Sequence, residues 1–200
     1  MRALLAHHSV RGQGRGLPDS VRALRTGAEG DHVGRMRRYV LLIAAVVVAI
    51  DQWTKYLIKT RVPLYSGFDV VPGIFRITHT LNPGAAFGLF SESVSPYRTA
   101  GLIAFTVIAL LVIGTMIWRT PKHWTISAVA LGLILGGAVG NFYDRIRFHV
   151  VTDFLLFYYK HWSFPVFNIA DSAITVGAVL MLFDLLFLGE RSSPEPNQGL

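Results

Sequence analysis

The sequence predicts a mainly α membrane protein: a four-transmembrane-helix bundle with a small extracytoplasmic β platform. Three observations lead there. Of 200 residues, 52% are hydrophobic and only 16% are charged, a lopsided balance for a water-soluble domain. Four stretches reach the roughly 20 largely apolar residues that a helix needs to cross a bilayer. Two of the segments between them carry short β-favouring runs that alternate apolar and polar side chains.

Residues 1–35 are polar and rich in Gly and Arg, and they lack the compact apolar run of a secretory signal. They are expected to form a disordered basic N-terminal extension. "MRRYVLLIAAVVVAI", from Met36, would itself serve as a natural opening for a first membrane helix. That span runs from about Tyr39 to Ile58, apolar except for Asp51, Gln52, Thr54 and Lys55. The loop of residues 59–98 follows, in which Gly73 to Leu81 reads as a strand or hairpin lying on the membrane surface. Thr99 to Trp118 is the second span. Trp124 to Tyr143 is the third, with Gly-rich positions that let a neighbouring helix come close. Residues 144–169 make a second outer loop, with "HVVTDF" strand-like and "SFPVFN" a Pro-marked turn. Ala170 to Gly189 is the fourth span, and residues 190–200 form a polar C-terminal tail.

Charge and composition narrow the function classes. Cysteine is absent, which removes disulfide frameworks, thiolate nucleophiles and cysteine-ligated metals. The net charge of +7 does not argue for nucleic acid, because eight of the nineteen Lys and Arg residues precede Tyr39. They read instead as a topology signal. Arg35, Arg37 and Arg38 before the first span, and Arg119 and Lys122 between the second and third, place those segments and both termini on the cytoplasmic side. Arg61, Arg76, Arg98, Arg145, Arg147 and Lys160 then fall outside, against the rule, and need another explanation.

Acids at the mouths of apolar segments are costly and point to function. Asp51 and Lys55, four apart with the acid first, share a helical face and favour pairing, so they are expected to support the bundle. Asn141 and Asp144 are three apart, as are Asn168 and Asp171. Each pair shares a face if its helix reaches that far. Asp171 also suits a helix N-terminus. Asp153 sits in an apolar strand-like run with no such structural reason. Two carboxylates meeting at a water–lipid boundary can share one proton, so that the ionised member takes a proton from water while the neutral one polarises a carbonyl. That chemistry hydrolyses a peptide bond without a covalent intermediate. Among Asp144, Asp153 and Asp171 it leaves open which two pair.

"DQWTK" (51–55), "NPGAAF" (82–87), "GNFYDR" (140–145), "VVTDF" (150–154) and "FNIAD" (167–171), in this order among four spans, resemble the lipoprotein signal peptidase family, signal peptidase II. The resemblance covers residues 36 to about 188 and makes 36–189 an integral membrane peptidase domain. It implies an inner-membrane aspartyl endopeptidase that cuts bacterial prolipoproteins just before the diacylglyceryl-modified cysteine, in contact with membrane lipid and without a cofactor. By motif it assigns the catalytic pair to Asp153 and Asp171. It puts Asn141, Asp144 and Arg145 in the surrounding shell, Asn168 beside the catalytic acid, and Asn82 and Gly84 on the platform that lines the substrate cleft.

The family carries glycine where this chain has His149, so the turn there is expected to differ, since histidine does not readily take glycine's backbone angles. His149 and Asp153, four apart, also suggest a metal site, but a catalytic zinc needs three protein ligands and no HExxH pattern occurs. His79 and His161 read as ordinary loop residues. Asp184 reads as a charge near a helix end that reaches the headgroups or faces a neighbouring helix. The competing classes are a small proton-coupled transporter or channel, whose polar residues should trace a path across the membrane, and a non-catalytic assembly factor.

Overall fold

In the computed structural model, residues 19–84, 96–119 and 125–188 are described. Helix α1 (Asp19–Arg61) leads into strands β1 (Gly67–Val71) and β2 (Phe75–Asn82). Helices α2 (Pro96–Arg119) and α3 (Ile126–Phe148), strands β3 (Val151–Tyr159) and β4 (Trp162–Ser163), and helix α4 (Ile169–Phe183) follow. A π-helical turn over Asp184–Leu188 continues α4. Among the described residues four segments are long and apolar enough to cross a membrane: Met36–Arg61, Ala100–Arg119, Ile126–Phe148 and Ile169–Phe187.

Three boundaries differ from those read in the sequence. The first helix opens at Asp19, so the part of the expected disordered extension from 19 onward is helical. Helix formers such as Ala23, Leu24 and Arg25 run into the apolar span, and a helix already nucleated there extends at little cost. The third span does not stop at Tyr143 but continues to Phe148, which puts Asp144 and Arg145 on a helix rather than in a loop. Arg145 and Arg147 end the apolar pattern while suiting the negative end of the helix dipole. The fourth span opens at Ile169. Residues 1–18, 85–87 of the "NPGAAF" motif and the tail lie outside the described residues.

Helix α3 is the centre of the bundle. Its neighbours come close where side chains vanish: a Cβ on Gly136 would lie 2.6 Å from Val47 of α1, and one on Gly137 would lie 2.3 Å from the Ala170 carbonyl of α4. Met36, Val40, Ile113, Ala128 and Leu131 form the buried cluster at the end of the bundle away from the sheet. Helix α2 packs mainly on α3 and turns Phe105 and Leu111 outward, as a lipid-facing helix does without cost.

The four strands form one antiparallel sheet in the order β1-β2-β3-β4. Gly73 closes the β1–β2 hairpin at φ 82°, and Tyr158 ties it down by donating to Asp69 and accepting from the Gly73 N–H. Ile58 and Val62 at the end of α1 pack against Phe154 of β3, so the sheet is seated on the bundle by an apolar contact. His79 departs from the loop reading: it lies buried in β2, with Nδ1 2.8 Å from the Val62 carbonyl. His161 sits exposed in the β3–β4 turn, as expected.

His149 also corrects an expectation. It takes the left-handed conformation (φ 62°, ψ 0°) that is freely open to glycine, and its N–H caps α3 by donating to the Arg145 carbonyl. Histidine is among the non-glycine residues that enter this region more readily than most. Asp184 meets Ser127 Oγ at the first turn of α3, so it faces a neighbouring helix as one of its two readings held.

Candidate active site

The site assembles where the sheet-bearing ends of α1, α3 and α4 meet the start of β3. Asn168 organises it. As the N-cap of α4 it accepts from the Asp171 N–H through Oδ1 at 2.9 Å, while Asp171 Oδ2 accepts from the Asn168 N–H at 3.2 Å, a reciprocal capping box. The Asn-x-x-Asp spacing at 168–171 is thus a helix start, and the same contact fixes the Asp171 carboxylate. The Asn168 amide donates to Asp153 Oδ1 at 2.7 Å. One asparagine therefore holds both acids, Asp153 by its side chain and Asp171 by its backbone.

The remaining carboxylate oxygens are also met by amides. Asn82, at the end of β2, donates to Asp153 Oδ2 at 2.9 Å, and Asn141 donates to Asp171 Oδ1 at 2.7 Å. Asn82 is itself oriented by the Gly84 N–H, and Arg145 reaches the Gly84 carbonyl at 3.4 Å. Asp153 is only 2% exposed. Burial first, and then the neighbouring charge of Asp171, push its carboxyl up to about 7, against the opposing pull of the Asn82 and Asn168 amides and of Lys55.

Beneath this pair lies a second, fully buried polar layer. Lys55 Nζ donates to Asn141 Oδ1 at 2.9 Å and lies 2.8 Å from Asp51 Oδ2 and 2.7 Å from Asp144 Oδ2, an ammonium between two carboxylates. The predicted Asp51–Lys55 pairing is present, and Asp144 joins it from α3. Asn141 connects the layers, since its Oδ1 accepts from both Lys55 and Asn168 while its amide holds Asp171. Asp51 Oδ1 also accepts from the Ala170 N–H at 3.0 Å, tying α1 to the first turn of α4.

Two contributors were not identified from the sequence. Gln52 donates to Asp51, to Asp144 and to the Gly140 carbonyl; its signals were a second polar residue beside Asp51 in an apolar run and its place in the DQWTK motif. Gly140 gives Asp51 its room, because a Cβ there would stand 2.7 Å from Asp51 Oδ2. Among the described residues no group of three His, Asp or Glu side chains could hold a metal ion, and His149 is exposed on its turn.

An opening of about 310 Å³ leads from the lipid-facing side to Asp171. Phe105, Ile113, Ile134 and Ile174 make its apolar wall, and Asn141, Arg145 and Asp171 its polar end. The opening thus joins an apolar wall to a carboxylate at its end.

The family profile described as signal peptidase (SPase) II matches residues 43–187. The lipoprotein signal peptidase of Solibacter usitatus is 44% identical over 72% of this chain and 88% of its own length. That of Nitratidesulfovibrio vulgaris is 40% identical over 81% and 94%. A bacterial membrane enzyme structure determined by the in meso method at 2.3 Å resolution superposes with a TM-score of 0.70 at 33% identity, covering 79% of this chain and 93% of that one. A match that spans both the helices and the motifs around the two acids leaves one conclusion: the chain belongs to the signal peptidase II family, the lipoprotein signal peptidases.

Proposed function

We propose that Asp153 and Asp171 are the catalytic pair with which this peptidase cuts a diacylglyceryl-modified prolipoprotein just before its cysteine. The observation that carries the reading is the shared anchor: both carboxylates are fixed on Asn168, with amides rather than cations on their other oxygens. Amide donors orient the acids without neutralising them, so the pair retains a single proton. Burial and the neighbouring charge of Asp171 both raise the Asp153 carboxyl, so we assign the shared proton to Asp153.

In this mechanism the signal segment occupies the apolar cleft between α2, α3 and α4, and the scissile carbonyl reaches the pair. The ionised carboxylate takes a proton from water, whose oxygen bonds to the carbonyl carbon, while the neutral one gives its proton to the carbonyl oxygen. Collapse of the resulting gem-diol breaks the C–N bond, and a proton from the pair passes to the departing nitrogen. The products are the carboxyl end of the signal peptide and the free amine of the lipidated cysteine. The water–lipid boundary lets the acyl chains stay in the bilayer throughout.

We place both termini in the cytoplasm and the pair toward the outer face of the bacterial inner membrane, supported by Arg35, Arg37 and Arg38 before the first span in the sequence and Arg119 and Lys122 between the second and third. The chain has no cysteine, so Ser163→Cys introduces a unique label site. An impermeant maleimide should label it from outside intact spheroplasts, and labelling only after lysis would reverse the orientation.

The catalytic assignment is tested with purified protein in detergent and a diacylglyceryl-modified prolipoprotein. Asp153→Asn and Asp171→Asn should each abolish release of the signal peptide while the protein stays folded, and release by the parent should survive a chelator. Near-normal turnover in either variant removes the assignment, and chelator-sensitive release replaces it with a metal mechanism.

A further inference from the structure

The basic residues at the sheet-bearing end of the bundle run against the charge rule for membrane proteins, and most have no part in the site. Lys59 of α1 and Arg147 of α3 stand out among them. Lys59 Nζ lies 4.0 Å from the centroid of the Phe148 ring, and the Arg147 guanidinium lies 5.6 Å from the same centroid. Neither forms an ion pair with a carboxylate among the described residues. The buried acids Asp144 and Asp51 act on Lys59 only at longer range, since both pair directly with Lys55. Lys59 follows Lys55 by one helical turn, a like-charge spacing that disfavours both.

Helix dipoles account for basic residues in the last turns of α1 and α3. They do not account for two cations from different helices gathered over one exposed ring. Tyr56 and Tyr143 flank the group, both exposed, and Tyr143 packs edge-on against Phe148 at 6.4 Å. Tyrosines at the end of membrane spans mark the depth of the lipid headgroups. The missing counter-ion is then supplied by what lies at that depth.

We infer that Lys59, Arg147 and Phe148 form a binding site for the phosphate of an anionic phospholipid, on the outer flank of α1 and α3. The phosphate oxygens accept from the ammonium and guanidinium groups, Phe148 holds the two cations in place through its ring face, and the acyl chains run down the exposed apolar side of α1 past Trp53. The cleft that ends at Asp171 is lined by α2, α3 and α4, so a lipid here leaves it open. The inference rests on the proposed orientation only for which leaflet supplies the lipid.

The test is native mass spectrometry of the full chain in detergent, titrated with phosphatidylglycerol or with phosphatidylcholine of the same acyl chains. The parent should retain phosphatidylglycerol preferentially. Each of Lys59→Gln and Arg147→Gln should lower that affinity about fivefold, and the double variant roughly 25-fold. Lys59→Arg should keep it. Equal retention of the two lipids by the parent overturns the inference, as does a folded double variant that binds like the parent. Should the double variant not fold, single variants that bind like the parent overturn it equally. Inorganic phosphate at matched concentration should leave the lipid bound, and complete displacement would make this a free-anion site instead. Retention is read without substrate, so its failure leaves the Asp153–Asp171 assignment standing, and the converse holds too.

Discussion

Lys55→Met is the sharpest probe of how the site is held. Lys55 places one positive charge within 2.9 Å of three acceptors, and Asp51 and Asp144 are both fully buried. Methionine fills nearly the same volume, so packing changes little while the charge disappears. Two carboxylates then face each other with only the Gln52 amide between them. Removing one partner of a buried ion pair costs about 3–5 kcal/mol, because the remaining charge is left uncompensated. Asn141 Oδ1 keeps the Asn168 amide at 3.2 Å, so its lost bond adds little. A loss of about 4 kcal/mol corresponds to a fall in Tm of roughly 8–16 °C for a chain of this size.

The assay is thermal unfolding in detergent followed by tryptophan fluorescence. The decisive variant combines Lys55→Met with Asp51→Asn and Asp144→Asn, which removes both orphaned charges and should recover at least half of the loss. A Lys55→Met protein with a Tm within about 2 °C of the parent would refute the reasoning. So would a loss that neutralising the two acids fails to reverse, because it would make Lys55 a packing residue.

Further outcomes follow from the same geometry. With the Asp153 carboxyl raised to about 7, cleavage should fall about tenfold per pH unit above that value as the pair loses its shared proton, and a rate that is flat to pH 9 would contradict this. The folded state also binds more protons than the unfolded chain between about 4 and about 7, so stability declines as pH rises through that window, by at most about 4 kcal/mol; comparing Tm at pH 5 and pH 8 in the parent and in Asp153→Asn, which lacks the titrating group, isolates the effect. Gly140→Ala drives a Cβ against Asp51 and should cost about 1–3 kcal/mol, whereas Gly114→Ala, with open space around it, should not destabilise α2. His149→Gly relieves a left-handed φ of 62° and should raise stability by up to about 1 kcal/mol; a measured destabilisation would place His149 in a contact beyond its cap.

What the sequence disclosed tracks the range of the interactions involved. Four spans were legible because membrane crossing is set by the length of an apolar run, a property each segment carries alone. The strand-like runs Gly73–Leu81 and His149–Phe154 were legible from alternation and β-favouring side chains, whereas the continuation of β3 to Tyr159 was not read. The helical turn after Tyr143 was not, because Asp144, Arg145 and Arg147 lower the hydropathy there while the backbone continues unbroken. Asp51 and Lys55 could be paired from their spacing, but that Asp144 completes the triad depends on α1 lying against α3, a contact made possible by Gly132 and Gly136. The motif resemblance singled out Asp153 and Asp171, where charge chemistry alone left three candidates. Gln52 and Gly140 escaped notice because their work is to satisfy or make room for another residue.

The division of labour between the two polar layers explains why so costly a cluster is built where lipid is close. A cation placed directly on the Asp153–Asp171 pair would hold both carboxylates ionised, and neither could then donate to a carbonyl. With Asp51 and Asp144 removed from its reach, Lys55 would be such a cation, since its field already acts on Asp153 through Asn141 and Asn168. The two structural acids absorb the lysine's charge and leave its geometry. The lysine's remaining field on Asp153 ranks behind burial, Asp171 and the Asn82 and Asn168 amides, and those amides orient the proposed pair without adding net charge. Asn82, Asn141 and Asn168 are therefore not interchangeable with basic or acidic residues of similar size: each must donate to a carboxylate and leave its proton in place.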